Sequence, residues 1–411
     1  PEATEKNQGI TGDAKTDYQY KKDGILKEDG SYVFTQDPTK IEVESGAAVD
    51  ATENNINIDS TQAKLELKGE TGINANGADV TVNGNTGISG DVGINAENGN
   101  VTLNGSTDIA GTDAAINAGE GGNVDINSNN GALNIKGEIN ASHGGNITID
   151  SSNGTGTIEG NVTASNGGNV EITLDDANSQ ITGSYNVDDD SSIVMNIKNG
   201  AVWNLTDDDD EAAGMSLLRM AKAPAAAAAK GLTINGGESK AKTGYLNMTK
   251  RTKNLNIASY SGWETIIYGH ENAGDKDEDY KSGDTIINKA AKDSGVILST
   301  DNSGINMNDK AAVEATLKAL AHKLTYNDHK ANGSNLTGKV QIADGLTASS
   351  ASKYLGNMRW DENGKGQYVD NSVNWKEIYN GNYETLVMQG VRSAATTSMH
   401  SWRDNMQDTY T

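Results

Sequence analysis

Gly121-Gly122-Asn123-Val124-Asp125-Ile126-Asn127 returns as Gly144-Gly145-Asn146-Ile147-Thr148-Ile149-Asp150 and again as Gly167-Gly168-Asn169-Val170-Glu171-Ile172-Thr173, each copy 23 residues after the last. Within each copy apolar and polar residues alternate, so one side of an extended strand turns inward and the other meets water. Following the aliphatic residue after the Asn in both directions gives a ladder: Ile56, Val80, Val101, Val124, Ile147, Val170 and Ile193. Its steps are 24, 21, 23, 23, 23 and 23 residues. A near-constant period of this length marks a repeat architecture, in which each short unit buries its apolar side only by stacking on its neighbours.

Two further ladders run beside the first. An apolar-x-Gly phrase begins at Leu67, Ile88, Ile109, Ile135, Ile158 and Ile181, and an apolar-Asn/Thr-Ala phrase begins at Ile73, Ile94, Ile116, Ile139 and Val162. Three apolar-led segments in every 21 to 26 residues predict a three-sided coil. The expected fold is all-β, a right-handed parallel β-helix with three strands per turn and about 23 residues per turn, its hand set by the rule for parallel crossovers. Gly and Asn tolerate left-handed backbone and are assigned to the corners. About seven turns between residues 41 and 205, each rising about 4.8 Å, give a section about 35 Å long.

Composition narrows the functions. The 411 residues carry 57 acidic against 33 basic side chains, a net charge of −24. Such a chain cannot supply the cations that phosphate recognition needs, which argues against a nucleic-acid partner. The absence of Cys removes disulfides, Cys zinc sites and a Cys nucleophile together. No stretch approaches 18 apolar residues, so no helical membrane span is expected. The chain opens at Pro1 with no charged-then-apolar leader, which fits removal of a signal peptide and a sequence cut from a longer one equally well.

Outside the repeat the text changes character. Residues 1–40 are expected to form an N-terminal cap or leader, 41–205 the regular β-helix, and 206–230 an inserted loop. That loop runs from the acidic Asp207 and Asp208 through Met215, Leu217, Leu218 and Met220 to five alanines. Read plainly it is a surface excursion from one corner with no specific role; read functionally, its acidic, Met and Leu residues are the candidate partner contacts. Residues 231–383 read as further β-helix and a C-terminal cap. There a helix is expected from Asp309 to Thr325, with Asn308 as N-cap and Val313, Leu317, Leu320 and Leu324 as its buried stripe.

Residues 384–411 read as a helix suited to a polar lumen, with Arg392 and Arg403 among small, polar and apolar residues. This segment, Glu384-Thr385-Leu386-Val387-Met388-Gln389-Gly390-Val391-Arg392 and onward to Met406, resembles the linker between passenger and translocator barrel in the classical (type V) autotransporters of Gram-negative bacteria. The stretch from Asp301-Asn302-Ser303-Gly304-Ile305-Asn306-Met307-Asn308 through Leu336-Thr337-Gly338-Lys339-Val340 is similar to the passenger end of that family. The resemblance implies a secreted passenger held at the cell surface by its own outer-membrane barrel, which this chain lacks. It also implies C-terminal rungs that fold first, and a Cys-free chain suits passage through the outer membrane.

Chemistry is sparse in the sequence. Lys292-Asp293-Ser294-Gly295 lacks the preceding Gly and the His and Asp partners of a serine nucleophile. The histidines, His143, His270, His322, His329 and His400, form no zinc pattern and are read as surface residues. Asp275, Asp277 and Asp279 alternate as in a calcium loop, but Tyr280 and Ile286 stand where such a loop needs Gly and Glu, so no cofactor is assigned and Ca²⁺ is retained only as a weak candidate. The expected function is a noncatalytic adhesin or interaction rod whose Asn, Thr and Asp faces meet glycan or protein on a host or bacterial surface, or a second copy of the chain. The alternative is a polysaccharide lyase or glycoside hydrolase on the same scaffold.

Overall fold

The computed structural model describes residues 4–128, 130–207, 230–269, 282–300, 305, 309–343 and 352–375. It is a right-handed parallel β-helix, and the three ladders are its three faces. On the first face Ile56, Val80, Val101, Val124, Ile147 and Val170 pair in unbroken register. On the second, Leu67, Ile88, Ile109, Ile135, Ile158 and Ile181 do the same. On the third the column is Ile73, Ile94, Ile116, Ile139 and Val162. All of these aliphatic residues are buried, so each turn contributes one to each of three interior stacks. Aliphatic side chains stacked at strand spacing exclude water along the whole column, which is how a chain so poor in aromatics holds a core.

The chain forms two compact units. The first holds the described residues up to 196 together with 230–233; the second holds Ile197–Asp207 and the described residues from 234 onward. In the first unit the segment expected as cap or leader adds a turn of its own. Thr4–Lys6 lies parallel to Thr39–Glu42, Ser31–Val33 lies parallel to Ile56–Lys68, and Ile10 bridges to Val49, one turn before Ile73. Tyr20, Tyr32 and Phe34 fill this first turn, and Asp17 is buried among them.

The second unit stacks differently. Trp203, Leu246, Ile266, Leu298 and Val340 form one column. Ile257, Ile287 and Tyr326 form another. The steps between turns are uneven and mostly longer, and packing against Ser294–Thr300, Leu336–Ala343 and Gly366–Tyr368 is supplied by a helix, Lys310–Ala321. The parallel ladder ends at Leu336–Ala343, which pairs antiparallel with Ser352–Trp360; that strand in turn pairs antiparallel with Gly366–Tyr368.

The helix corrects one expectation. Its N-cap is Asp309 and not Asn308, which lies outside the described residues. Asp309 is extended, and its carboxylate accepts from the N–H groups of Ala311 and Ala312, placing negative charge at the positive end of the helix dipole. Val313, Leu317 and Leu320 are its buried stripe, as the spacing predicts. Leu324 is not on the helix. It opens the strand Leu324–Tyr326, where it pairs with Thr285. The linker segment 384–411 lies outside the described residues. Among the described residues no helix is long and apolar enough to cross a membrane.

Candidate binding face

Because side chains alternate along a strand, the residues on either side of each second-face aliphatic point outward. Register sets them in two columns across the turns. One runs Lys40, Glu66, Gly87, Asp108, Asn134, Thr157; the other runs Glu42, Lys68, Ser89, Ala110, Lys136, Glu159. Gly87, Ser89 and Ala110 are small and adjacent, so the middle of the face dips. The result is a groove of about 600 Å³, walled by lysines and carboxylates.

The charge on this face is unlike that of the rest of the coil. Residues 41–196 contain three lysines and no arginine against 23 acidic residues. All three lysines, Lys64, Lys68 and Lys136, line the groove, joined by Lys40 from the turn before. Lys64 reaches across Gly87, with Nζ 3.5 Å from Asp108 Oδ2 and 3.7 Å from Glu66 Oε1. Lys40 lies 3.7 Å from Glu66, Lys68 2.6 Å from Glu42, and Lys136 3.9 Å from Glu159, while Asn134 donates to Asp108 Oδ1 at 2.8 Å. These pairs are well exposed, and exposed pairs contribute little to stability, at most about 1 kcal/mol each. Their main effect is on the surface itself: a locally neutral strip of alternating donors and acceptors on a strongly acidic chain.

Gly87 is the residue that opens the groove, and the fold does not require it. Its φ lies outside the left-handed region. A Cβ placed there would meet nothing closer than Glu66 Cγ and Lys64 Cε, both at an ordinary 3.7 Å.

The asparagine rows behave differently. Asn100 donates to Asp79 at 2.7 Å, Asn123 to Asn100 at 2.6 Å, Asn146 to Asn123 at 2.8 Å and Asn169 to Asn146 at 2.9 Å. Ser192 donates to Asn169 at 2.7 Å. An ionised Asp only accepts, so Asp79 orients every amide above it, and all of them donate toward the N-terminal turns. A second row begins in the same way, from Asn74 to Asp50 at 2.8 Å and Asn95 to Asn74 at 3.0 Å. These amides bind one another, so the Asn rows expected to meet a ligand serve the coil first. Asn146→Ala removes two links of the row and is expected to cost about 1–3 kcal/mol. Urea unfolding measures this, and an effect near zero would mean that water replaces the row at no cost.

Of the residues expected to contact a partner, Asp208, Met215, Leu217, Leu218 and Met220 lie outside the described residues, as do Asp275, Asp277 and Asp279. Asp207 is described. It accepts from the N–H groups of Thr252 and Lys253 at 3.0 Å and from the Thr252 hydroxyl at 2.5 Å. Partial burial alone would raise its pKa, but these hydrogen bonds and nearby Arg251 hold it below the ordinary carboxylate range. Asp125 stands opposite Thr148, as the ladder predicts, and so does not share a row with Asp150. Ser294 is buried, with its hydroxyl donating to the Ala291 carbonyl. Among the described residues no group of three or more His, Cys, Asp or Glu side chains could hold a metal.

The groove was not anticipated from the sequence, although a signal for it exists. Lys68 and Lys136 each follow a second-ladder aliphatic directly, and Gly87 directly precedes one. Fold and face together define the class, a parallel β-helix with an open, charge-balanced groove on one sheet. No protein-family model, curated protein or solved structure matches the chain.

Proposed function

We propose that this chain is a noncatalytic interaction scaffold, the passenger of a Gram-negative autotransporter, and that it binds hydroxyl-rich glycan along the second-face groove. The observation that carries this reading is a groove floored by a glycine that the backbone does not need, set in the one strip where the coil's lysines gather. A sugar hydroxyl both donates and accepts. Alternating ammonium and carboxylate groups at the spacing of the turns offer it both roles repeatedly, and weak contacts repeated along a face accumulate through multivalency. A net charge of −24 repels anionic surfaces, so a locally neutral strip is where close approach costs least. Display at a cell surface rests on the similarity of residues 301–340 to a passenger end and of 384–406 to the junction that follows it.

The test is binding of the chain to immobilised surface glycans and to cells. Gly87→Val fills the groove, and Lys68→Ala with Lys136→Ala strips both its ends. Each is expected to weaken binding about tenfold, or about 1.4 kcal/mol, with the far-UV circular dichroism unchanged. Full binding by both variants would move the contact off this face. New reducing ends, or an ultraviolet-absorbing unsaturated product, would favour polysaccharide cleavage instead.

A further inference from the structure

The second unit encloses a carboxyl group that nothing in the binding face explains. Glu264 lies on the strand Trp263–Tyr268, two residues before Ile266, and strand alternation therefore turns it inward with the core column. It is fully buried, and neither carboxyl oxygen has a hydrogen-bond partner. Its neighbours in register are Gly244 in the turn before and Val296 in the turn after. The absent Gly244 side chain provides the slot: a Cβ there would lie 2.5 Å from Glu264 Oε2 and 2.0 Å from the Ile197 carbonyl oxygen. A carboxylate in such a slot has no donor to meet it, whereas a carboxylic acid carries its own proton and no charge.

The surrounding groups give the carboxyl no hydrogen bond. Tyr260, itself buried, donates to the Gly295 carbonyl at 2.5 Å and accepts from the Glu264 backbone N–H at 2.9 Å, so it fixes the main chain and leaves the carboxyl alone. Val296 offers nothing that titrates. Tyr245, beside Gly244, adds a second phenol that burial keeps neutral. Lys198 is the one cation whose field favours the charged form, and it does so without hydrogen bonding to Glu264. Burial dominates and pushes the Glu264 pKa well above the ordinary carboxylate range.

We propose that Glu264 is a proton-held latch: the turns Gly244–Lys250, Trp263–Tyr268 and Ser294–Thr300 close around its neutral acid form and loosen when it ionises. The sign follows from linkage. An unfolded or locally opened chain gives up this proton near the ordinary glutamate pKa, and the closed form keeps it to higher pH. Closure is therefore tightest in acid and weakens as pH rises between those two values, with the opening equilibrium growing about tenfold per pH unit.

Amide hydrogen exchange of the whole chain, corrected for the intrinsic pH dependence of exchange, tests the idea. In the wild type the opening of Trp263–Tyr268 and its paired strands is expected to rise about tenfold per pH unit above the ordinary glutamate pKa. In Glu264→Gln it is expected to stay flat. A flat wild-type profile, or the same slope in the Gln variant, overturns the latch. Infrared spectroscopy of the wild type alone covers the case in which the variant does not fold. A protonated-carboxyl band persisting above the ordinary glutamate range supports the latch, and its disappearance at the ordinary value overturns it.

Discussion

Asp17→Ala is expected to destabilise the first unit by about 2–4 kcal/mol, because several donors lose their shared acceptor at about 1–3 kcal/mol for each one left buried. Asp17 is fully buried. Its Oδ2 accepts from Thr11 N–H at 2.9 Å, Gly12 N–H at 3.0 Å and the Tyr32 hydroxyl at 2.5 Å, and its Oδ1 accepts from the Thr11 hydroxyl at 2.8 Å. Removing the carboxylate leaves the buried Tyr32 hydroxyl and the half-buried donors of Thr11 and Gly12 without their acceptor, and the full desolvation penalty falls on the buried one. Asn is expected to be milder, about 1–2 kcal/mol. Its carbonyl oxygen can take the three-donor position, and its NH₂ can donate to the Thr11 hydroxyl, which also accepts. Chemical denaturation measures the difference, and proteolysis within residues 7–33 reports where the structure opens. Equal losses for Ala and Asn would mean that shape, and not hydrogen bonding, holds this turn.

The Asp17 turn also marks how far the sequence could be read. Ladder residues such as Ile109 and Ile116 announced their partners because every turn repeats one pattern, so a spacing in the chain became a contact in space. The first turn contains no copy of that pattern. Its core of Tyr20, Tyr32 and Phe34 surrounds an acid, and Asp17 in isolation looks like any surface aspartate. Glu264 was hidden for a related reason. Charged residues are ordinarily assigned to the outside, and only the phase set by Ile266 turns it inward. The binding face lay between these cases. Its residues sit one position from known ladder residues, but their meaning depends on turns that bring Lys64 beside Asp108, 44 positions later in the chain. At Asn308 and Asp309 the choice between two capping residues rested on one residue of backbone geometry, which spacing alone does not determine.

Gly137→Val is expected to be severely damaging, costing about 4 kcal/mol or more, while Gly87→Val fifty residues earlier is expected to be neutral or slightly stabilising. Gly137 is the third residue of the apolar-x-Gly phrase, where the chain leaves the second face. Its φ is +127°, a conformation that L side chains rarely adopt. A Cβ there would lie 2.5 Å from the Gly111 carbonyl oxygen and 2.8 Å from the Ala115 nitrogen, both main-chain atoms of the preceding turn. Strain of about 1–3 kcal/mol adds to overpacking of similar size, and neither relaxes without moving a neighbouring turn. Gly87 lies on the same face without either constraint. Replacing a strand glycine by a β-branched residue recovers about 0.5–1 kcal/mol of backbone entropy. The pair is read by urea unfolding. Equal destabilisation would mean that Gly87 is structural after all, and the groove would lose its best evidence. A stable Gly87→Val with weakened binding would instead separate the glycine that builds the coil from the glycine that opens it to a ligand.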